Sequence, residues 1–323
     1  MQQFPYPRKS SAPHVYTSTR PSAYQQRRLL KRYAPPFAGF LGLIWLLTYL
    51  FGSRNTTTTH IPPGTPPVII VTPLSPKLSE SHKESIKENR RTYAARHGYS
   101  TFFPNTTDYD LLPKTPESWS LIPSLRHTMT TNPHTPWLWH LSSESLIMNP
   151  RPSLETQLLS PTTLQSLLIK DHPVVPPDSV IHTLSHLSTS SINLIISQDD
   201  SGLGQSSFLL RTGDWAKFFL DAWFDPLFRS YNFQKAEGHA LEHIVQWHGT
   251  ILSKLGLVPQ RVMNSYSESS GEKREDGLYQ EGDFVATFHN CSRDLHRSCE
   301  KEMASSMTRW KELRDAEQKR RKR

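Results

Sequence analysis

The stretch Trp137–Pro150 reads WLWHLSSESLIMNP and decides the fold prediction. It begins with a nearly continuous apolar run at 137–141, which is typical of a strand buried on both faces of a parallel sheet. A short polar loop, Ser142–Ser145, follows before apolar residues resume. Open α/β sheets bind ligands at loops that follow the carboxyl ends of such strands. We therefore expect this loop to be functional.

The residues upstream of this stretch supply a second reason to expect a parallel sheet. A β-branched run at Pro67–Thr72 predicts a buried strand, and the helical pattern of Ser79–His97 ends at Gly98, a common helix stop. Strand-like composition returns at Tyr99–Phe103. The order strand, helix, strand defines a βαβ unit, whose two strands lie parallel.

The rest of the chain continues this alternation, so the predicted fold class is α/β, a mixed sheet flanked by helices. Further helices are expected at 119–129, 154–168, 214–223 and 236–255, and further strands at 193–197, 207–211 and 279–289. A polar loop is expected at 198–202, and residues 171–190 are expected to be mostly loop.

Composition divides the chain into five segments. We expect a disordered basic tail at 1–34, a transmembrane signal anchor at 35–52, a stem at 53–66, a folded domain at 67–308 and a basic tail at 309–323. Two alternatives for the apolar segment are less consistent with the sequence. The apolar core of a cleaved signal peptide would start earlier in the chain, and a buried core helix would not need the preceding Arg/Lys cluster. The anchor, with the cluster on the cytosolic side, places the domain in a lumen.

The charge of the chain argues against nucleic-acid binding. The formal net charge is +8, but residues 66–308 hold 21 Lys/Arg and 26 Asp/Glu. The excess of positive charge lies in the two tails, so the folded domain lacks the basic surface that binding to phosphates requires.

Two sequence features agree with a lumenal domain. Asn55 and Asn105 begin glycosylation sequons, and Asn290 begins a less usual one. The only two cysteines, Cys291 and Cys299, are close enough in sequence to form a disulfide in an oxidising compartment.

A set of short motifs, in order along residues 67–310, resembles glycosyltransferase family 34, the fungal Golgi α-1,6-mannosyltransferases and α-galactosyltransferases. The matching pieces are Asn89-Arg90, Tyr93-Ala94, His97-Gly98-Tyr99, Trp137-Leu138-Trp139, Met148-Asn149-Pro150, Gly202-Leu203, Ser207 to Arg211, Ala240 to His243, Pro259-Gln260-Arg261, Asn264-Ser265-Tyr266 and Gly282-Asp283-Phe284.

The resemblance implies a GT-A fold of Rossmann-like character and a retaining sugar transfer from a nucleotide-sugar donor to a glycan. Family members use a divalent metal, usually manganese, and a type II topology in the Golgi membrane. For this chain we expect GDP-mannose as donor and a mannose-containing glycan as acceptor, in protein glycosylation. We also expect the protein to form a hetero-complex with other mannosyltransferases.

The resemblance also assigns roles to individual residues. The expected roles are catalytic for Asp199 and Asp200, donor-binding for Thr72, Arg90, Tyr93, Ser142 and Glu144, and acceptor-side for Gln198 and Glu237. Ser142 and Glu144 fall on the family's Asp-x-Asp, whose carboxylates hold the metal, so Glu144 is the one remaining metal ligand there. A third family ligand, a His, falls on Thr287, and other family polar positions are Leu121, Gly204 and Gly238.

Several of the expected site residues have a structural alternative. Glu144 is also compatible with a solvated loop acid, Asp199 and Asp200 with turn residues, and Arg90 and Tyr93 with an ordinary helix surface. The pair His239 and His243 has metal-ligand spacing but no accompanying motif, which favours a structural role.

The replaced metal positions leave two functional hypotheses. One is an active hexosyltransferase whose activity is weak, metal-independent, or supported by a basic residue such as Arg126, Arg211 or Arg261. The other is a catalytically silent subunit that keeps the fold and binds an active transferase.

Overall fold

The computed structural model describes residues 61–175, 179–231, 233–270, 275–294 and 296–321, together with positions 36, 40, 42 and 43. The predicted tail at 1–34, most of the predicted anchor at 35–52 and the sequon at Asn55 lie outside the described residues. Within the described part of the chain, no helix has both the length and the apolar composition to cross a bilayer.

Nine strands and eight helices organise the described part of residues 60–323. The strands are β1 (Val68–Val71), β2 (Ser100–Phe102), β3 (Trp137–Leu141), β4 (Ser145–Ile147), β5 (Leu194–Asp199), β6 (Gly202–Arg211), β7 (Leu255–Val258), β8 (Ser265–Tyr266) and β9 (Val285–Thr287). The helices are α1 (Glu80–His97), α2 (Leu121–Thr131), α3 (Pro161–Leu167), α4 (Asp214–Trp223), α5 (Pro226–Ser230), α6 (Glu237–Trp247), α7 (Gly249–Leu252) and α8 (Cys299–Arg321).

The main sheet has the strand order β2-β1-β3-β6-β5-β7. β1 pairs in parallel with both β2 and β3, and β5 pairs in parallel with β7. β6 runs antiparallel to β3 and β5, so β3 and β5 end at the same edge. The predicted βαβ unit and the mixed α/β class are confirmed.

A smaller sheet, β4-β9-β8, continues from the loop after β3. Ser145 of β4 lies opposite Thr287 of β9, so the loop Ser142–Ser145 is held between the two sheets. Helix α8 covers this sheet, because Met303 and Trp310 pack with Leu146 and other residues of a separate apolar cluster. The predicted boundary at 308/309 falls inside α8, where Trp310 is buried.

Several predicted elements have different limits in the structure. The helix predicted at 154–168 is interrupted at Ser160, which caps α3 through a bond from the Thr163 backbone N–H. The helix predicted at 236–255 divides at His248 into α6 and α7. The strand predicted at 279–289 is limited to β9.

The polar loop predicted at 198–202 is also much shorter in the structure. β5 extends through Asp199 and β6 begins at Gly202, which leaves a two-residue turn. At Gly202 the backbone φ is 136°, and a Cβ would lie 1.8 Å from Oε1 of Glu242. Only glycine fits this tight approach of two elements.

Candidate functional site

The loop after β3 is fixed by hydrogen bonds from neighbouring strands. The Ser142 N–H donates to the Ser206 carbonyl oxygen over 2.8 Å, and the Ser145 N–H donates to the Ser142 carbonyl oxygen over 3.1 Å. Thr72, at the end of β1, donates its hydroxyl to the Leu141 carbonyl oxygen over 2.7 Å. Thr72 is buried, so its hydroxyl fixes the end of β3 and does not face solvent.

Arg90 holds the loop from helix α1. Its Nη2 donates to the carbonyl oxygen of Ser142 over 2.8 Å and also to that of Ser145, and its Nη1 donates to Oδ1 of Asn89 over 3.0 Å. The side chain is 0% exposed, and burial lowers its pKa to about 9. Arg90 therefore supports the loop from beneath, and the expectation that it contacts a nucleotide directly does not fit this geometry.

Tyr93, one turn further along α1, is part of the core. Its ring centroid lies 5.8 Å from that of Trp139 and 5.6 Å from that of Phe284. The hydroxyl donates to the Pro152 carbonyl oxygen over 2.9 Å, and burial raises the pKa of Tyr93. The expected donor contact again does not fit, because the ring is enclosed by other side chains.

Glu144 connects the loop to a turn near the end of the domain. Its Oε2 accepts the Asn290 N–H over 3.1 Å, and its Oε1 accepts the Ser292 N–H over 3.2 Å and the Ser292 hydroxyl. The same turn contains Cys291, which forms a disulfide with Cys299 in the structure. Both oxygens of the Glu144 carboxylate therefore accept hydrogen bonds from the 290–292 turn.

The other two family metal positions are also engaged in hydrogen bonds within the protein. The Thr287 hydroxyl donates to Oδ1 of Asn264 over 2.9 Å and lies 2.9 Å from the Ser145 hydroxyl. The Ser142 hydroxyl accepts the Glu144 N–H over 3.2 Å. A hard divalent cation requires several oxygen ligands, usually including carboxylates, and these residues do not provide such a set.

Sulfur does not complete a metal site either. Glu144, Cys291 and Cys299 have potential ligand atoms within 4.8 Å of one another, and in the described part of the chain they are the one such group of three. The two sulfurs are joined in a disulfide, so neither is the thiolate that binds a metal. The residues present do not fit the metal that the family uses.

Asp199 lies at the end of β5, on the same edge of the sheet as the loop. Its Oδ1 accepts the N–H groups of Ser201 and Gly202 over 2.7 and 2.9 Å, and its Oδ2 accepts the Tyr266 hydroxyl. The side chain is only 3% exposed. Asp200, the next residue in the turn, is exposed.

Glu237 is a buried acid at the start of α6. Its Oε1 accepts bonds from Nε2 of Gln205 over 3.1 Å and from Nη2 of Arg293 over 2.9 Å, and its Oε2 accepts the Ser118 hydroxyl. It is 2% exposed, and burial raises its pKa although Arg293 acts in the opposite direction. Arg293 is half exposed beside it.

Lys235 provides a second cation in this region. Its Nζ donates to the Ser201 carbonyl oxygen and lies 3.5 Å from Oε1 of Glu242. Burial raises the pKa of the Glu242 carboxyl, and Asp199 raises it further, whereas Lys235 lowers it. The structure thus brings Asp199, Glu242 and Lys235 together in one group.

Gln198 has a different position from the one expected. Its Oε1 accepts the Val175 N–H over 2.8 Å, and its Nε2 donates to the Pro173 carbonyl oxygen over 3.0 Å. Both ends of the amide are used to attach a surface segment to β5, so a direct contact with an acceptor does not fit this arrangement.

The three arginines considered as substitutes for a metal have partners elsewhere. Arg211 lies over the Trp137 ring at 4.8 Å, at the opposite end of β3 from the loop. Arg261 forms an ion pair with Asp283 at 2.7 Å, and Arg126 lies 3.6 Å from a carboxylate oxygen of Asp221.

Arg293 and Lys235 were not identified from the sequence. The position of Arg293 between the two cysteines was the available signal, since a disulfide-bridged turn is a rigid place for a side chain. Lys235 is two residues before Glu237, but its contact with the Asp199 turn depends on tertiary structure.

A cavity of about 540 Å³ lies away from these groups. It is bordered by Asn149, Arg151, Tyr279, Arg309 and Leu313, at the far end of β4 from the loop. No predicted site residue lines it.

The predicted sequon residue Asn105 is exposed, as glycosylation would require.

Several known proteins that are similar to this chain are named as galactosyltransferases or mannosyltransferases. An uncharacterized alpha-1,2-galactosyltransferase of Schizosaccharomyces pombe is 35% identical over 208 residues, which are 64% of this chain and 62% of that protein. The probable alpha-1,6-mannosyltransferase MNN10 of Saccharomyces cerevisiae is 29% identical over 70% of this chain and 59% of its own length. The chain thus spans about three fifths of the length of these relatives.

A similar solved structure is that of a glycosyltransferase involved in the glycosylation of the major capsid of PBCV-1. It has a TM-score of 0.46 and 10% identity, and the match covers 76% of this chain and 98% of that chain.

A family model matches most of the chain. Residues 64–299 match the model described as the galactosyl transferase GMA12/MNN10 family, and this range contains the loop after β3, the Asp199 turn and Glu237. The chain therefore belongs to the galactosyl transferase GMA12/MNN10 family.

Proposed function

We propose that this protein is a Golgi type II membrane hexosyltransferase with a GT-A fold, which transfers mannose from GDP-mannose to a glycan. The proposal is supported by family membership and by one structural observation. The acids Asp199, Asp200 and Glu237 and the cations Lys235 and Arg293 surround the carboxyl ends of β3 and β5. Ligands of open α/β sheets bind at this edge.

The cations have a specific task in this proposal. Sugar transfer from a nucleotide sugar leaves a diphosphate, whose developing charge needs an electrostatic partner. The positions Ser142, Glu144 and Thr287 do not fit a divalent cation, so we assign this task to Arg293 and Lys235. Each has a partly exposed charged side chain, with 44% and 37% of its surface accessible.

The acids would act on the sugar side of the reaction. Asp200 is exposed at the turn and is placed to hold a sugar hydroxyl. Glu237 accepts hydrogen bonds from three donors and forms an ion pair with Arg293. We assign Glu237 to the acceptor side, where it fixes Gln205, while its ion pair holds the Arg293 guanidinium in position for the diphosphate.

The lumenal placement is supported by three features. The apolar segment at 35–52 follows an Arg/Lys cluster, as in a signal anchor. The sequon residue Asn105 is exposed, and the Cys291–Cys299 disulfide is stable in an oxidising compartment. Deglycosylation of the protein from its native host should reduce its mass; an unchanged mass would contradict this placement.

A second candidate function is favoured by one observation. Both oxygens of Glu144 are used by the 290–292 turn, so the loop has lost the ligand function of the family's carboxylates. A catalytically silent subunit, bound to an active mannosyltransferase of the same family, would retain this fold without needing a metal site.

Donor binding and transfer distinguish these two functions. The full chain in detergent would be titrated with GDP-mannose and then assayed for mannose transfer to a linear mannose oligosaccharide. We expect binding and transfer, and a loss of at least tenfold in transfer for Arg293→Gln but not for the surface control Arg91→Gln. Absence of GDP-mannose binding by the purified chain would contradict the enzyme and favour the silent subunit.

A further inference from the structure

An unusual row of rings lies on the outer surface of α5 and α6. It consists of Phe228, Tyr231, Phe233, His239, His243 and Trp247, and we refer to it as the ring stripe. Neighbouring rings have centroids between 5.0 and 6.3 Å apart, in the spatial order Tyr231, Phe233, Phe228, His243 and Trp247, with His239 beside Phe233. Trp247 is 73% exposed and Tyr231 is 66% exposed. Large aromatic rings are favoured at binding surfaces because they combine an apolar face with a polar edge.

Helical geometry aligns the part of the stripe that lies on α6. His239, His243 and Trp247 are four residues apart, so they occupy one face of α6 and extend about 12 Å along its axis. Phe228 and Phe233 pack their inner sides against the core, which fixes the rings beside this face. The stripe is therefore a rigid surface, and little conformational entropy is lost when a ligand binds.

One end of the stripe reaches the candidate site. His239 contacts the Phe233 ring and is close enough to Lys235 for that charge to lower its pKa together with burial. Lys235 in turn donates to the Ser201 carbonyl oxygen in the Asp199 turn. Glu237 begins the same helix that carries the stripe.

We propose that the ring stripe binds the acceptor as an oligosaccharide of hexopyranose units, extending from the candidate site. This proposal rests on the proposed function and adds the acceptor surface to it. A pyranose has an apolar face of C–H groups and a rim of hydroxyls. Exposed aromatic rings complement the apolar face, and the two histidines provide nitrogen atoms for the hydroxyls.

A carbohydrate fits the stripe better than a protein partner does. A stable protein interface uses about 20–30 residues on each side, whereas the stripe has the width of one helix and six side chains. The stripe residues also carry no carboxylate or ammonium group that would select a charged partner. Its narrow, elongated form matches a linear chain of sugars.

The spacing of His239 and His243 does not indicate a metal site. His243 contacts the rings of Phe228 and Trp247, and His239 contacts Phe233. The two imidazoles are thus part of the aromatic row.

The test is binding of a linear mannotetraose to the full chain in detergent, followed by NMR titration. Trp247→Ala and Tyr231→Ala should each weaken binding by about fivefold. Trp247→Phe keeps a ring and should stay within about twofold of the wild type. Leu313→Ala, an exposed apolar residue at the separate cavity, is the control and should bind as the wild type does.

GDP-mannose affinity, measured on the same variants, separates this proposal from the proposed function. Mannotetraose binding that is lost in Trp247→Ala supports the stripe even where no GDP-mannose binds, a result that would contradict only the proposed function. The stripe proposal is overturned when the wild type does not bind mannotetraose, or when both alanine variants bind it normally. It is also overturned when these variants change only the oligomeric state in sedimentation.

Discussion

The guanidinium of Arg90 lies 2.8 Å from the carbonyl oxygen of Ser142, inside the fold and without solvent contact. Among the described residues no carboxylate forms an ion pair with Arg90, so its charge is balanced by backbone carbonyl dipoles. This contact holds the loop after β3 on one side, and Glu144 attaches it to the 290–292 turn on the other. The loop is therefore held by the protein's own groups.

Arg90→Met should destabilise the protein by about 3 kcal/mol. Hydrogen bonds to charged groups contribute about 1.5–3 kcal/mol each, but removing a buried charge recovers part of the loss. Chemical denaturation provides the measurement, and Arg91→Met is the matched control because Arg91 is exposed on the same helix. Equal stability of the Arg90 variant and the control would show that the loop does not depend on this contact.

Glu144→Gln should reduce the free energy of unfolding by about 1–3 kcal/mol. The carboxylate accepts bonds from the Asn290 and Ser292 N–H groups, and an amide replaces one accepting oxygen with a donor. Glu84→Gln is the control, since Glu84 is itself exposed and pairs with Lys87 and Arg91 of the same helix α1. A Glu144 variant as stable as this control would refute the structural role of Glu144.

The contributions of the disulfide and of Glu144 to the free energy of unfolding should be coupled. Replacing both cysteines by serine removes a short loop constraint worth about 2–3 kcal/mol. Because Cys291 lies inside the turn that Glu144 binds, the combined variant should lose less stability than the two separate losses together. A double-mutant cycle measures the coupling, and strictly additive losses would contradict it.

The structure also predicts how stability depends on pH. Burial lowers the pKa of His140 to about 3, so the folded protein keeps this ring neutral while the unfolded chain takes up a proton below about 6.5. The contribution of His140 to the free energy of unfolding should be fully present above pH 6.5 and should decrease as the pH falls towards 3. His82, whose pKa burial also lowers, acts in the same direction.

His140→Asn tests this dependence. Between pH 6 and 4, the loss of stability per pH unit should be smaller than in the wild type by up to about 1.4 kcal/mol, which corresponds to one proton. His134→Asn, at an exposed position, should retain the wild-type slope. An unchanged slope in the His140 variant would show that this ring is not the group responsible.

Local patterns were sufficient for much of the fold. The βαβ unit with β1, α1 and β2, the strand at Trp137–Leu141 and the helix Asp214–Trp223 all follow from short-range periodicity. The early start of β6 was not visible, because its residues Gly202–Ser206 have no strand-like composition and pair with β5 through long-range contacts. The division of the long helix at His248, where the backbone leaves the helical region with φ −108° and ψ 98°, was also not visible in the sequence.

The site was harder to predict, for a physical reason. Glu144 and Asn290 are 146 positions apart in sequence, and nothing local indicates that one binds the other. Arg90 was recognisable as a motif residue, but its burial beneath the loop depends on the position of α1 against β4. The sequence therefore located the loop correctly, while the partners of its side chains required the structure.

We expect the loop after β3 to bind no divalent metal when the donor binds. Calorimetric titration of the full chain with GDP-mannose, in EDTA and in manganese, tests this directly, with Ser142→Asp/Glu144→Asp as a comparison. The wild type should have equal affinity for GDP-mannose in both conditions, and the double variant should bind manganese. Donor binding by the wild type only in manganese would contradict this expectation.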